Sequence, residues 1–423
     1  MKENKLRIAV VGGGVAGITA AHILSRNHTI TLFEKNDYVG GHTNTVLLPD
    51  GPDEGTPIDT GFLVCNDRNY PLFHQLLEQL GVKLKNTAMS FGYYDETTGL
   101  QYSGPDINGV FAQRSNLFNF GFLSMLWDMD RFHQSARRDL VRGALQDMTM
   151  GQYLVKGDYG KTFIRDYVIP MGSAIWSTSN AEMMDFPATT FVRFFDNHGL
   201  LTFTDRPQWQ TVEGGSHSYV KAFLSRFKGQ VQTKASVQKV TRKPSSVLLK
   251  TAQGEVMEFD RVVLACHADE ALDMLVDPSP EETKALSPWR YQVNRSVLHT
   301  DEKVMPPLKR AWASWNYIRE KQISPIPLVS VSYYMNRIHG LNTPNHYFVS
   351  LNRQGAIDEG KIIREFNYTH PVYSQSTVDT QPKLLSLNGV KNTYFCGSYF
   401  GYGFHEDAVK SGVEVAQCFG LNL

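Results

Sequence analysis

Short apolar runs next to glycines mark both ends of the chain. Residues 6–11 (LRIAVV) and 28–33 (HTITLF) are rich in β-branched residues, which predicts strands buried on both faces of a parallel sheet. The residues between them, 18–24, predict a helix, so the chain opens with a βαβ unit. Near the other end, buried strands are predicted over 261–266 and 392–396, and a last helix over 407–419.

The middle of the chain follows a different pattern. Residues 69–81 predict an amphipathic helix that ends at Gly81, and the alternation over 91–102 predicts a hairpin. From residue 110 to about 154 the pattern becomes helical and aromatic. Further short strands are predicted over 231–239, 246–251 and 255–259, with several more between 298 and 352. This contrast predicts two domains, of which the one built from both ends is discontinuous.

Composition and charge exclude several classes of protein. The 423 residues carry 42 Lys and Arg against 42 Asp and Glu, so the chain lacks the basic surface of a nucleic-acid-binding protein. No apolar run approaches the ~20 residues of a membrane span, and the first residues lack the pattern of a signal peptide. The 4 cysteines form no C-x-x-C pair, so neither disulfides nor zinc are expected. We expect a cytoplasmic protein.

The segment Gly12–Gly17 has the glycine spacing of a dinucleotide-binding turn. It reads G-x-G-x-x-G between a predicted strand and helix, the context that the motif requires. Gly12 allows the tight turn, and Gly14 lets the backbone approach a pyrophosphate. Gly17 lets the helix pack against the strand. Val15 and Ala16 open the helix, whose free N–H groups attract phosphate. Glu34, at the end of the second strand, suits a ribose and disfavours NADP.

The residues after Glu34 favour FAD over NAD alone. Lys35 is followed by Gly40, Gly41, His42 and Thr43, and this second glycine pair lets another loop reach the pyrophosphate. The stretch resembles the GG-x-x-T segment of the FAD-dependent amine oxidase superfamily (flavin-containing amine oxidoreductases). Members usually carry Arg after the two glycines, where this chain has His42.

The C-terminal segment 394–409 extends the same resemblance. In this superfamily a glycine loop here borders the flavin ribityl chain, and a helix begins at the flavin N1–C2=O edge. The resemblance implies flavin contacts from Gly397, Ser398, Phe404, His405 and Ala408, with Ser398 in place of the usual acid. Residues 58–62 and 235–237 resemble two other flavin-contacting segments, which adds Thr60, Gly61, Phe62 and Val237 to the expected site.

The match is closest to one group of the superfamily. GGHTNT, IPMGSAIWS and FCGSYFGYGFHEDAVKSG resemble bacterial predicted NAD/FAD-binding proteins related to the flavin domain of plant cyclopropane fatty acid synthases. The resemblance implies an α/β fold, with a Rossmann-like FAD-binding domain of the glutathione-reductase or amine-oxidase type and an inserted α+β substrate domain. We expect FAD binding by residues 1–88, 212–288 and 371–423, and substrate binding by 89–211 and 289–370.

The implied activity is an FAD-dependent oxidoreductase that removes a hydride from a C–H bond of a lipophilic, fatty acyl-type substrate, as a desaturase or isomerase does. The alternatives are a flavin amine oxidase and a non-catalytic FAD-binding partner of a lipid methyltransferase. We expect non-covalent FAD and no metal. The apolar stretch 118–127 suits a core helix or a peripheral membrane contact.

The catalytic residues are not defined by any motif. Tyr399 and Tyr402 are candidates for an aromatic wall over the flavin, and both also suit plain packing. Trp315 and Asn316 suit either a cavity wall or a strand core, and His405 lies in the loop expected to face the flavin. Many amine oxidases hold a water at flavin N5 with a lysine, for which Lys303 is the match by order along the chain.

Overall fold

A computed structural model describes residues 5–104, 106–202, 204–321, 328–353 and 355–423. It shows a mixed α/β fold built on a parallel sheet and a larger mixed sheet, as the sequence predicts. No helix in these ranges is long and apolar enough to cross a membrane. The predicted domain boundaries stay a prediction.

The parallel sheet is assembled from both ends of the chain. Its five strands lie in the order Gln230–Gln232, Thr29–Phe33, Arg7–Val11, Arg261–Leu264 and Thr393–Phe395. Val11 pairs with both Phe33 and Leu264, so the strands end together at one edge. The glycine turn after Val11, Glu34, Ala265 and Cys396 therefore emerge side by side, which is where open α/β sheets bind nucleotides.

Two helices from opposite ends of the chain cover this sheet. Val15–Leu24 packs against His405–Gln417, and the contact is close because Gly412 has no side chain. A Cβ at Gly412 would lie 2.6 Å from the carbonyl oxygen of Ala16. This packing fixes the start of the last helix beside the glycine turn.

A separate three-stranded antiparallel sheet follows the parallel strand Gln230–Gln232 in sequence. Its strands are Val237–Arg242, Val247–Thr251 and Val256–Phe259. The single strand predicted over 231–239 is wrong, because the chain leaves the parallel sheet after Gln232 and pairs again only from Val237. Lys234 has φ +54° in the intervening bend. The bend carries residues 235–237 to the nucleotide end of the site.

The second large sheet has seven strands and is mainly antiparallel. Its order is Ile362–Val372, Arg290–His299, Phe348–Leu351, Val331–Tyr334, Trp315–Arg319, Phe91–Asp95 and Gln101–Ser103. The last two strands are the predicted hairpin. Smaller sheets pair Thr45–Leu47 with Pro57–Asp59, and Trp209–Val212 with Cys65–Asn66 and Leu84–Asn86.

Helices fill the middle of the chain. The predicted amphipathic helix is Pro71–Leu80, and it ends at Gly81, which has φ +67°. The helical and aromatic region contains Ile107–Val110, the 3₁₀ turn Arg114–Phe118, Phe120–Val141, Met150–Lys156, Lys161–Phe163, the π-helical turn Ile164–Val168, Ile169–Trp176, Asn180–Met184 and Ala188–Asn197.

The remaining helical segments connect the sheets. The α-helices are His217–Arg226, Ala268–Met274, Pro280–Leu286, Met335–Ile338, Gln375–Val378 and Gln381–Leu384. The 3₁₀ turns are Glu302–Val304, Lys309–Ala311, Glu359–Lys361, Leu385–Leu387, Val390–Asn392 and Ser398–Phe400.

Candidate cofactor and substrate site

A cavity of about 1090 Å³ starts at the carboxyl edge of the parallel sheet and continues beneath the helices of the middle region. Its first end is lined by the glycine turn, Glu34, the 235–237 bend and the C-terminal loop. Its other end is an apolar arm between the helix Phe120–Val141 and the seven-stranded sheet. One continuous space therefore joins a nucleotide-type site to an apolar site.

The glycine turn leaves room for a ligand where the motif predicts a pyrophosphate. A Cβ added at Gly14 meets no protein atom within 4 Å, although Gly14 lines the cavity. Gly12 has φ +111°, and a Cβ there would overlap the carbonyl oxygen of Ala265. The helix that follows has no side-chain cap, so its first N–H groups remain available to an anion.

Glu34 is held in place by the backbone around it. Its two carboxylate oxygens accept hydrogen bonds from the N–H groups of Gly13, at 2.9 Å, and Asn36, at 2.8 Å. The side chain is 5% exposed and lines the cavity. A carboxylate has further lone pairs, so Glu34 can still accept hydrogen bonds from a ribose.

A group of histidines lines the cavity next to the second glycine pair. His42 lies 5.2 Å from His370 between ring centroids and stacks on Tyr368. Burial lowers the pKa of His42 well below its ordinary value and that of His370 to about 4, so both rings are neutral near pH 7. The Nε2 atom of His42 is buried without a hydrogen-bond partner.

The start of the last helix closes the nucleotide end. His405 stacks on Phe62 at 3.6 Å between ring centroids, and its Nε2 lies 3.0 Å from the Thr43 hydroxyl. Burial lowers the pKa of His405 to about 3. Glu406 accepts hydrogen bonds from the backbone N–H groups of Leu72 and Phe73, which ties this helix to Pro71–Leu80. His405 is therefore a fixed, neutral wall.

The arm is lined mainly by aromatic and aliphatic side chains. They come from helices and strands far apart in sequence: Met89, Phe91, Tyr102, Val110, Leu126, Met129, Tyr167, Met171, Ile175, Trp176, Phe194, Leu200, Trp209, Trp315 and Tyr333. Trp315 carries the one indole N–H that is buried without a partner in the part of the chain described here. Among the residues that the structure describes, Arg206 is the charged residue that lines this arm.

The family model that matches this chain is flavin containing amine oxidoreductase, over residues 15–349. The chain belongs to this family. Membership implies a flavin cofactor, typically FAD, and makes the protein an FAD-dependent oxidoreductase. The family accounts for the glycine turn and for the cavity that continues from it.

The curated proteins similar to this chain carry different names. The chain is 21% identical over 309 residues to an L-amino-acid oxidase of Siganus canaliculatus, covering 69% of this chain and 56% of that protein. Over 47 residues it is 52% identical to a 4,4'-diapophytoene desaturase of Staphylococcus aureus (strain Newman), covering 11% of this chain and 9% of that one. The chain thus spans about half or less of these curated relatives.

A solved structure supports the fold over the whole chain. The CLA-producing fatty acid isomerase from P. acnes superposes with a TM-score of 0.67 at 14% identity, and the match covers 99% of both chains. At this identity the likeness shows the fold and not the activity.

Three observations fit a flavin dinucleotide at the nucleotide end. The open space at Gly14 suits a pyrophosphate, the fixed Glu34 suits a ribose, and His42, which lines the cavity, has an Nε2 atom that no group of the protein satisfies. Because burial keeps His42 neutral, it brings no positive charge to this end of the cavity.

Most of the predicted cofactor residues meet at this cavity. Its lining includes Gly12, Gly14, Val15, Ala16, Glu34, Lys35, Gly40, Gly41, His42, Gly61, Phe62, Val237, Gly397, Ser398, Phe404, His405 and Ala408. Gly17, Thr43 and Thr60 lie behind the lining. Gly17 packs against the glycine turn, Thr43 contacts Tyr219 and His405, and Thr60 contacts the Tyr368 hydroxyl at 2.8 Å.

The catalytic candidates separate into two groups. Trp315, Tyr399 and His405 line the cavity. Asn316 does not, because both of its amide hydrogens are donated to backbone, to the carbonyls of Ala313 and Ser332. Tyr402 lines a different cavity, together with Phe400 and Asp407. Neither is proposed here as a catalytic residue.

Lys303 does not fit the role of the flavin N5 lysine. It is exposed in the turn Glu302–Val304 and is absent from the cavity lining. Lys35 is the one lysine that lines the cavity among the described residues, and it pairs with Glu270 at the nucleotide end.

Several lining residues carried no sequence signal. His370, Tyr368 and Tyr291 come from the two long antiparallel strands, and His267 follows the strand Arg261–Leu264. His267 and Tyr291 stack at 4.0 Å between ring centroids. The pairing of strands distant in sequence brings them to the cavity, so no local motif could identify them.

Proposed function

We propose that this oxidoreductase uses non-covalently bound FAD to remove a hydride from a C–H bond of a fatty acyl-type substrate. The observation that carries the proposal is the apolar arm that continues from the nucleotide end of the cavity. The reaction type is that of an isomerase or a desaturase. When bound, the flavin supplies the hydride acceptor.

The composition of the arm supports a long apolar substrate. Each methylene that leaves water for such a wall contributes about 0.8 kcal/mol, so a chain of many methylenes gains most from an extended arm. The walls formed by Leu126, Met129 and Ile175 are aliphatic, and Phe91 and Trp176 add aromatic surface. A small polar amine would leave most of this surface without contact.

Charges in the arm also favour a lipid over an amine. Burial lowers the pKa of His133 and of His198 to about 4, so both imidazoles lining the arm are neutral near pH 7. The lining acids, Glu34, Glu270 and Asp273, belong to the nucleotide end. Arg206 pairs with no carboxylate in the described ranges, which suits a substrate that carries an acidic head group.

The chain's own residues bind and orient this substrate. The apolar walls exclude water from the reacting carbon, and the indole ring of Trp315 forms part of the wall that holds the acyl chain. An isomerase returns the hydride to another carbon of the same chain, whereas a desaturase loses a proton and leaves an additional double bond. Both reactions require the acyl chain to be held in one position, and the side chains that line the arm on several sides can hold it.

Substrate panels test this proposal. The oxidised protein is mixed without oxygen with linoleic acid, with its methyl ester and with putrescine, and both the flavin spectrum and the products are analysed. We expect an altered double bond in the acid and no reaction of the amine. Trp315→Phe should slow the reaction of the acid, while the matched exposed-site control Lys303→Met should not. Flavin reduction by putrescine alone would contradict the proposal.

We also propose the finer parts of the family resemblance. These are kinship with the flavin domain of plant cyclopropane fatty acid synthases, association with a lipid methyltransferase, and a cytoplasmic location with peripheral membrane contact. The lipophilic arm supports them because a methyltransferase that modifies acyl chains needs the same class of substrate. Size-exclusion chromatography of this protein mixed with a cyclopropane-type methyltransferase tests the association. Two separate peaks would contradict it.

A further inference from the structure

An exposed patch of apolar side chains lies outside the arm. Phe118, Phe120 and Trp127 are 84%, 87% and 66% exposed, and Ile107 is 78% exposed. Leu117 and Leu123, at 47% and 37%, complete this group. We call these six side chains the aromatic patch. Exposed apolar side chains grouped in this way usually mark an interaction surface.

The helix Phe120–Val141 separates the aromatic patch from the arm. Phe120, Leu123 and Trp127 are spaced i, i+3 and i+7, so they share its outer face. Leu126 and Met129, from the same turns, line the arm. The short helix Ile107–Val110 repeats this arrangement, because Val110 lines the arm while Ile107 is exposed. The patch and the arm are thus two sides of one thin wall.

Charged groups border the aromatic patch. Arg114 and Lys161 are exposed and form no ion pair within the described ranges. Of the acids nearby, Asp128 pairs with Arg131, Asp106 caps Ile107–Val110, and Asp130 accepts a hydrogen bond from Gln134. The guanidinium of Arg131 lies 5.1 Å from the Trp127 ring. Aromatic rings beside free cations suit the boundary between acyl chains and anionic head groups.

We propose that the aromatic patch docks this protein on the surface of a lipid bilayer. Phe118, Phe120 and Trp127 enter the region between head groups and acyl chains, and Arg114 and Lys161 meet lipid phosphates. The docking places the wall of the arm against the membrane. If the substrate is a lipid, the docking also brings the arm close to it; that step rests on the proposed function, whereas the docking itself follows from the patch.

Vesicle flotation of the flavin-loaded protein tests the docking without any substrate. Vesicles of phosphatidylcholine, with and without phosphatidylglycerol, are the probes. We expect the parent to float with both and more strongly with the anionic vesicles. The combined variant Phe118→Ser, Phe120→Ser and Trp127→Ser should partition to vesicles at least about tenfold less, because it lacks the apolar side chains that the bilayer would bury. Its flavin content should stay unchanged.

The control uses exposed apolar side chains elsewhere. Val141→Ser with Val155→Ser removes residues that are 89% and 74% exposed, and Val141 lies about 30 Å along the helix from Phe120 at about 1.5 Å per residue. This control should bind vesicles like the parent. Equal binding by the patch variant, or a parent that does not float, would overturn the docking. So would a parent dimer that the patch variant separates, because a second copy would then cover the patch.

Discussion

Replacing Gly14 by alanine should separate cofactor binding from folding. Gly14 has φ −72° and ψ 177°, which any residue adopts, and the added Cβ meets no protein atom within 4 Å. The fold should therefore gain about 0.4–1 kcal/mol from the stiffer unfolded chain. The same methyl group enters the space for the pyrophosphate, where overpacking costs about 1–3 kcal/mol. FAD affinity should fall about 5- to 150-fold, at about 1.36 kcal/mol per tenfold.

The assay is titration of flavin-free protein with FAD, followed by the quenching of flavin fluorescence, together with thermal unfolding of the flavin-free form. Gly360→Ala is the matched control, since its Cβ would lie 3.5 Å from the Asp358 carboxylate, an ordinary contact far from the cavity. Gly14→Trp should abolish binding altogether. If Gly14→Ala binds FAD like the parent, the pyrophosphate does not lie at this turn.

Three further substitutions have defined outcomes. Glu34→Gln should weaken FAD binding, because a neutral amide replaces the carboxylate expected to accept the ribose hydrogen bonds, and losing a charge-assisted bond costs about 1.5–3 kcal/mol. Unchanged affinity in the fluorescence titration would refute the ribose assignment. Lys303→Met should leave turnover unchanged; a large fall in kcat would give that lysine a role at the flavin after all. Burial raises the pKa of Asp407 from 3.8 to about 7, so its carboxyl contributes stability below about pH 4 that is lost as the pH rises through 7. In Asp407→Asn, the fall in melting temperature from pH 5 to pH 8 should therefore shrink, and an unchanged fall would show that Asp407 is not its cause.

The cofactor end could be predicted from the sequence because its determinants are local. Gly12, Gly14 and Glu34 lie within one βαβ unit, whose strand and helix patterns are strong. The C-terminal loop is also local, since it joins a buried strand to a helix, but its expected flavin contacts came from the family resemblance and stay a prediction. Backbone geometry within a short segment sets the glycine turn and the position of Glu34, so their spacing is enough to bring them to one cavity.

The substrate end could not be predicted in this way. The side chains that line it come from separate helices and strands. Which of them come together depends on helix packing and strand register. Trp315 and Asn316 are adjacent and alternate across their strand, which places only the tryptophan in the cavity. Sequence order made Lys303 a candidate, although the fold leaves it exposed in a surface turn.

Linoleic acid labelled with deuterium on the methylene between its double bonds gives the most direct test of hydride removal from an acyl chain. The labelled acid is incubated with flavin-loaded protein and the products are resolved by mass spectrometry. We predict a product with a moved or additional double bond, and a slower reaction with the labelled acid than with the unlabelled one. Unchanged acid, with amines oxidised under the same conditions, would contradict the account.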